Sequence, residues 1–100
     1  MQFIVIAYDG IDADAPRRRA SVREAHLEIA REMHEQGHWL YAAAILDDDG
    51  GMIGSMILCE FSSLEEMQSR WLSREPYIQG DVWKEMEVNR AQVAPFFLNQ

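Results

Sequence analysis

Three observations predict an α+β fold whose elements run β-α-β-β-α-β. Segments 2–8, 39–46, 52–61 and about 83–90 are rich in β-branched or aromatic residues or alternate apolar with polar ones. Two segments between them carry apolar residues at helical spacing behind recognisable start signals. Turn-forming residues, D-D-D-G-G above all, fall between these runs and not inside them. That order is the signature of a ferredoxin-like sandwich, an antiparallel four-stranded sheet with both helices on one face.

Each element has its own cause. Q-F-I-V-I-A-Y, residues 2–8, reads as the first strand. D-G-I-D-A-D-A-P is a loop, and Pro16 can open the helix expected from about Arg17 to Gln36, with Gly37 as its stop. W-L-Y-A-A-A-I-L forms the second strand, D-D-D-G-G the hairpin turn, and M-I-G-S-M-I-L-C-E-F the third strand. Ser62 begins S-S-L-E, a capping-box pattern for a second helix running through Met67 and Trp71. That helix must end before Pro76, and P-Y-I-Q-G-D is expected to be irregular or a single turn. A last strand, about Trp83 to Arg90, leads into a tail carrying Pro95, Phe96 and Phe97.

The central strands are apolar on both sides. Phe3, Val5 and Ala7 alternate with Ile4, Ile6 and Tyr8, and Ile53 and Ile57 oppose Met52, Met56 and Leu58. Strands covered on both faces read this way, whereas the last strand, with Lys84, Glu85 and Glu87 interrupting Met86 and Val88, reads as a half-exposed edge. Both helices lie on one face, so a second copy of the sheet is expected to cover the other: a homodimer, two sheets face to face.

Composition narrows the function. One hundred residues make one domain over 1–100, with 48% hydrophobic and 26% charged residues, as in an ordinary globular protein. A net charge of −8 argues against nucleic acid and against an anionic membrane surface. The apolar N-terminal run is too short to span a bilayer and no basic residue precedes it, so the expected compartment is the cytoplasm. Cys59, the single cysteine, lies in an apolar strand and reads as a buried hydrophobe.

His26 raises the main chemical question, because it falls in the same helical row as Val22, Ile29 and Met33. A histidine there is either a core residue with a hydrogen-bond partner or part of a pocket wall. Arg19 and Arg23 precede it by seven and three residues, which brings two guanidiniums near its side of the helix and suits an anionic or enolate-like ligand. Glu75, just before Pro76 at a helix end, is held extended and can be aimed into a cleft. A carboxylate bonded to one imidazole nitrogen makes the other a better base. Read alone, Glu75 is better taken as an exposed acid at a helix end. No metal is expected: His26, His34 and His38 lack ligand spacing, and D-D-D-G-G lacks the spaced acids of a calcium loop. No G-x-G-x-x-G or P-loop implies a nucleotide cofactor.

A set of motifs resembles the YciI-like (YCII-related) family. They are R-x-S-V-R-x-x-H-L at 19–27, Met33-His34-Glu35-Gln36-Gly37, Gly54-Ser55, E-F-x-S-L-E at 60–65, Glu75-Pro76-Tyr77-Ile78 and Val82-Trp83. The resemblance covers nearly the whole chain in the family's order. It implies a dimeric α+β barrel and an active-site histidine–aspartate pair, the histidine carried by His26 and the acid position by Glu75. Three departures mark this chain: Glu for Asp at 75, Ala43-Ala44 in place of an Ala-Gly-Pro turn, and a proline displaced to Pro95. The resemblance also implies proton movement on a small, often aromatic or enolic molecule, as in dechlorination of a chlorinated hydroxyquinol or lactone isomerisation.

The resulting expectation is a cofactor-independent enzyme for a small organic molecule. His26 is the general acid or base, Glu75 its orienting partner and Arg23 the stabiliser of negative charge. Ser55 or Tyr77 supplies a hydrogen bond, with Arg19 a weaker candidate. The rival reading is a non-catalytic ligand-binding or accessory module that keeps the pocket, favoured by the Asp-to-Glu change. A haem-handling barrel lacks a second histidine with a ligand role. If His26 faces a solvated pocket, His26→Ala should alter stability by less than about 1 kcal/mol.

Overall fold

A computed structural model describes residues 1–98. Strand β1 spans Gln2–Asp9, helix α1 Ala15–Glu35, β2 Trp39–Leu46 and β3 Met52–Glu60. Helix α2 covers Leu64–Arg70, α3 Pro76–Gln79 and β4 Trp83–Ala91. Short 3-10 turns occupy Leu72–Arg74 and Pro95–Phe97. The sheet order is β2-β3-β1-β4, antiparallel throughout, the order of a ferredoxin-like sandwich. Among the described residues no helix is long and apolar enough to cross a membrane.

Period-two alternation decides which face is core. Phe3, Val5 and Ala7 of β1 and Ile57 and Cys59 of β3 are buried beneath the helices, while Ile4, Ile6, Met56 and Leu58 face the other way and are only half-buried. In α1 the seven-residue spacing of Arg19, His26 and Met33 marks the buried seam, with Val22 and Ile29 packed beside it. Gly37, at φ +80°, supplies the left-handed residue that lets the chain leave α1 and enter β2.

The elements depart from the expected boundaries where tertiary contacts intervene. Helix α1 starts two residues earlier than Arg17, with Pro16 inside its first turn. The capping box sits one residue later than S-S-L-E: Ser63 Oγ accepts from the Glu66 backbone N–H at 3.0 Å, and Glu66 Oε1 accepts from the Ser62 N–H at 2.7 Å. Beyond it the expected single helix breaks up. Trp71 leaves helical geometry (φ −124°, ψ −64°), and Glu75 is extended (φ −70°, ψ 116°), as a residue before proline should be. Strand β4 is more exposed than a half-covered edge, because only Trp83 is buried along it. Ala43 and Ala44 make no turn; they pair with Met56 and Ser55 inside β2.

Candidate functional site

The second helical segment breaks where it does because of one side chain. Glu75 caps α3, its Oε2 accepting from the Tyr77 backbone N–H at 3.0 Å, while its Oε1 accepts from the Trp71 indole Nε1 at 2.8 Å. The carboxylate is fully buried, which is tolerated only because it is hydrogen-bonded on both oxygens. His26, one turn before Ile29 on the seam of α1, places Nδ1 2.7 Å from Oε2. Indole and backbone N–H groups can only donate, so both carboxylate oxygens act as acceptors and the imidazole donates from Nδ1. Nε2 is then the nitrogen that keeps a lone pair.

Tyr77 locks the ring from the side. Its ring stacks on His26 with centroids 3.9 Å apart and planes 14° from parallel, and the Arg19 guanidinium lies over the same tyrosine ring, 4.6 Å from its centroid. Burial raises the Tyr77 phenol above its ordinary value, against a smaller opposite pull from Arg19, so the hydroxyl stays protonated at neutral pH. Arg19 itself is 6% exposed. Its Nη1 donates to both oxygens of Asp9 at 2.9 Å and its Nη2 to Ser55 Oγ at 3.0 Å. Ser55 Oγ also accepts from the Trp83 indole at 3.3 Å, which leaves the hydroxyl only its own proton to offer. Gly54 seats Ser55 there, since a Cβ at Gly54 would meet the Ala7 carbonyl oxygen at 2.5 Å.

All six residues singled out in the sequence meet in this region. Arg19, Arg23, His26, Ser55 and Tyr77 line one cavity of about 160 Å³ between α1 and the sheet, and Glu75 lies behind it, reaching His26. Arg23 is exposed, whereas the charge of Arg19 is balanced by buried Asp9. A roomier opening of about 750 Å³, beside Tyr8, Ile11 and Lys84, contains none of His26, Glu75 and Arg23. His34 and His38 turn their Nδ1 atoms to the carbonyl oxygens of Trp39 and Glu60, each at 3.0 Å.

Asp9, Trp39, Trp71 and Trp83 were not foreseen. Asp9 had a legible signal, an acid in phase with Phe3, Val5 and Ala7 on the core face of β1. Trp83 had one only in the Val82-Trp83 motif, and Trp39 and Trp71 had none beyond their size, because their indole contacts depend on tertiary placement.

Comparison with known proteins gives three further findings. A family model described as the YCII-related domain matches residues 1–92. Protein YciI of Escherichia coli O6:H1 is 35% identical over 94 residues, 88% of this chain and 93% of that protein, and YciI of Shigella flexneri matches to the same extent. Among solved structures, the 5-chloro-2-hydroxyhydroquinone dehydrochlorinase TftG of Burkholderia phenoliruptrix, in complex with 2,5-dihydroxybenzoquinone, shares the fold with a TM-score of 0.79 at 20% identity, covering 96% of this chain and 98% of that one. A NIPSNAP family protein from Agrobacterium tumefaciens gives a TM-score of 0.54 at 14% identity, with 95% and 94% covered.

Proposed function

The chain belongs to the YCII-related domain family, and from that premise we propose that it is a cofactor-independent enzyme moving a proton on a small anionic or enolic molecule. One observation carries the reading. A fully buried carboxylate, with both oxygens already accepting, holds His26 Nδ1 at 2.7 Å and leaves Nε2 as the base. The extra methylene of Glu75 relative to aspartate leaves this contact at 2.7 Å, which supports the enzyme reading over an inert binding module.

Nε2 takes a proton from a C–H or O–H activated by a neighbouring carbonyl. The electron pair left behind becomes an enolate or phenolate, and Arg23, lining the same cavity, stabilises its charge. Ser55 and Tyr77 offer O–H donors at the wall. From that anion, expulsion of an anionic leaving group completes an elimination, and return of the proton from His26 to another carbon completes an isomerisation. Loss of chloride, the reaction named for the structurally similar dehydrochlorinase, is one case of the first. The cavity suits a single ring, since about 150 Å³ admits a benzene-sized molecule.

Deuterium exchange in D₂O, followed by NMR across hydroxyquinols and enolisable lactones, tests the reading. The protein should accelerate exchange or halide release for at least one compound and lose this with His26→Asn. Acceleration that survives His26→Asn would remove the histidine from the mechanism. We further propose that the working unit is a homodimer joined through the helix-free face of the sheet.

A further inference from the structure

We propose that the His26 cavity is one compartment of a longer site, whose second compartment takes an apolar chain ending in a carboxylate recognised by Arg31. This rests on the reading of His26 as the reacting centre. A second opening of about 440 Å³ runs between α1 and β2 and shares Leu27, Ala30, Trp39 and Ala42 with the His26 cavity, so the two adjoin across these side chains. Its floor is Leu27 and Ala30 of α1 and its far wall Leu40, Tyr41 and Ala42 of β2.

Charge complementarity identifies the occupant. The chain has 17 acidic and nine basic residues, yet among the described residues no carboxylate lines either compartment, while Arg19, Arg23 and His26 line one and Arg31 and His34 the other. Arg23, Leu27 and Arg31 follow each other at four-residue steps, a row of cation, apolar residue and cation. From His26 to Arg31 the helix advances about 7 Å, the reach of a short alkyl chain. His34 donates Nδ1–H to the Trp39 carbonyl at 3.0 Å, so its Nε2 keeps a lone pair and Arg31 is the group that meets the carboxylate. Trp39, 3% exposed, lines both compartments, and its buried indole N–H has no acceptor among the described residues, which makes that N–H a reporter of a bound ligand.

The test is a homologous series of phenylacetate, 4-phenylbutyrate and 6-phenylhexanoate, with affinity from calorimetry and contact from the Trp39 indole ¹⁵N–¹H signal. Affinity should rise by about fourfold per methylene until the carboxylate reaches Arg31. Arg31→Gln should weaken 6-phenylhexanoate by at least about tenfold while phenylacetate changes by no more than about twofold. Leu40→Trp, which crowds the groove at a residue lining only the second compartment and touches no charge, should penalise the long acids in the same order. A flat series, or equal losses for short and long acids in both variants, would overturn the second compartment whatever the exchange experiment shows. Length dependence that persists in the absence of any exchange activity would uphold the compartment and sink only the proton-transfer reading.

Discussion

His26 and Glu75 can be separated by what each leaves behind. The imidazole is 9% exposed and stacked on Tyr77, so it does not face open water as the sequence suggested. His26→Ala both opens a hole and takes one donor from a buried carboxylate; a loss of about 2–4 kcal/mol is expected in place of less than one. Asparagine places an amide near Nδ1 without a base at Nε2, so His26→Asn should recover part of that loss and none of the exchange activity. Urea denaturation beside exchange rates checks both, and full recovery of activity by asparagine would end the general-base assignment. Glu75→Gln replaces one acceptor with an NH₂ among the Trp71, Tyr77 and His26 donors. At least one contact then becomes donor against donor, at about 1–3 kcal/mol. A Glu75→Gln variant as stable as the parent would mean that the buried cluster is not ordered as described. Cys59 gives a pH signature: burial pushes its thiol from 9.0 up to about 12. The folded chain therefore holds a proton that the unfolded chain releases, so its contribution is complete below pH 9 and is lost as pH rises towards about 12. Stability measured across that window should fall less steeply in Cys59→Ala.

At the scale of elements, local signals and tertiary ones part company. The strands were legible because period-two alternation is a local pattern with one physical cause, burial on a face. The cap of α2 was legible in kind but displaced by one residue, because Ser62 and Ser63 carry identical side chains and only the reach of Glu66 chooses between them. Ser63→Ala should cost about 1 kcal/mol while Ser62→Ala, whose backbone N–H still donates, should cost no more than a few tenths. Equal costs in thermal unfolding would contradict that register. The break after α2 was legible only at Pro76. Its earlier part, from Trp71 onward, follows from the indole bending to Glu75 and from Glu75 reaching His26, a partner 49 positions away. The site shows the same division: His26 stands out on an apolar helical row, Arg19 and Arg23 by their spacing from it and Glu75 by its place before Pro76, but the stack Arg19–Tyr77–His26 arises only when α1 and α3 meet.

At the scale of the molecule, the sheet face without helices is where the proposed homodimer joins its two copies. Four strands about 4.8 Å apart and about eight residues long present roughly 500 Å². Two such faces bury on the order of 1,000 Å², about the least a specific interface requires. Register puts Ile4, Ile6 and Tyr8 of β1 beside Met56 and Leu58 of β3 and Tyr41, Ala43 and Ile45 of β2 on this face, an apolar field across three strands. Glu85, Glu87 and Asn89 share the face but belong to β4, an edge strand, which places their charges at the rim where water can keep them. Such a distribution of apolar centre and acidic border is what a face-to-face pair of sheets needs, and a surface meant for solvent does not. The wild-type chain should therefore sediment near twice 11.6 kDa at micromolar concentration. Ile6→Glu, at the centre of the field and only half-buried in the single chain, should shift it to monomer while leaving far-ultraviolet circular dichroism unchanged. Glu87→Lys, opposite Ile6 but on the rim strand, should leave the dimer intact and alter only its salt dependence. A wild-type chain that sediments as a monomer, or an Ile6→Glu chain that remains a dimer, would place the contact elsewhere.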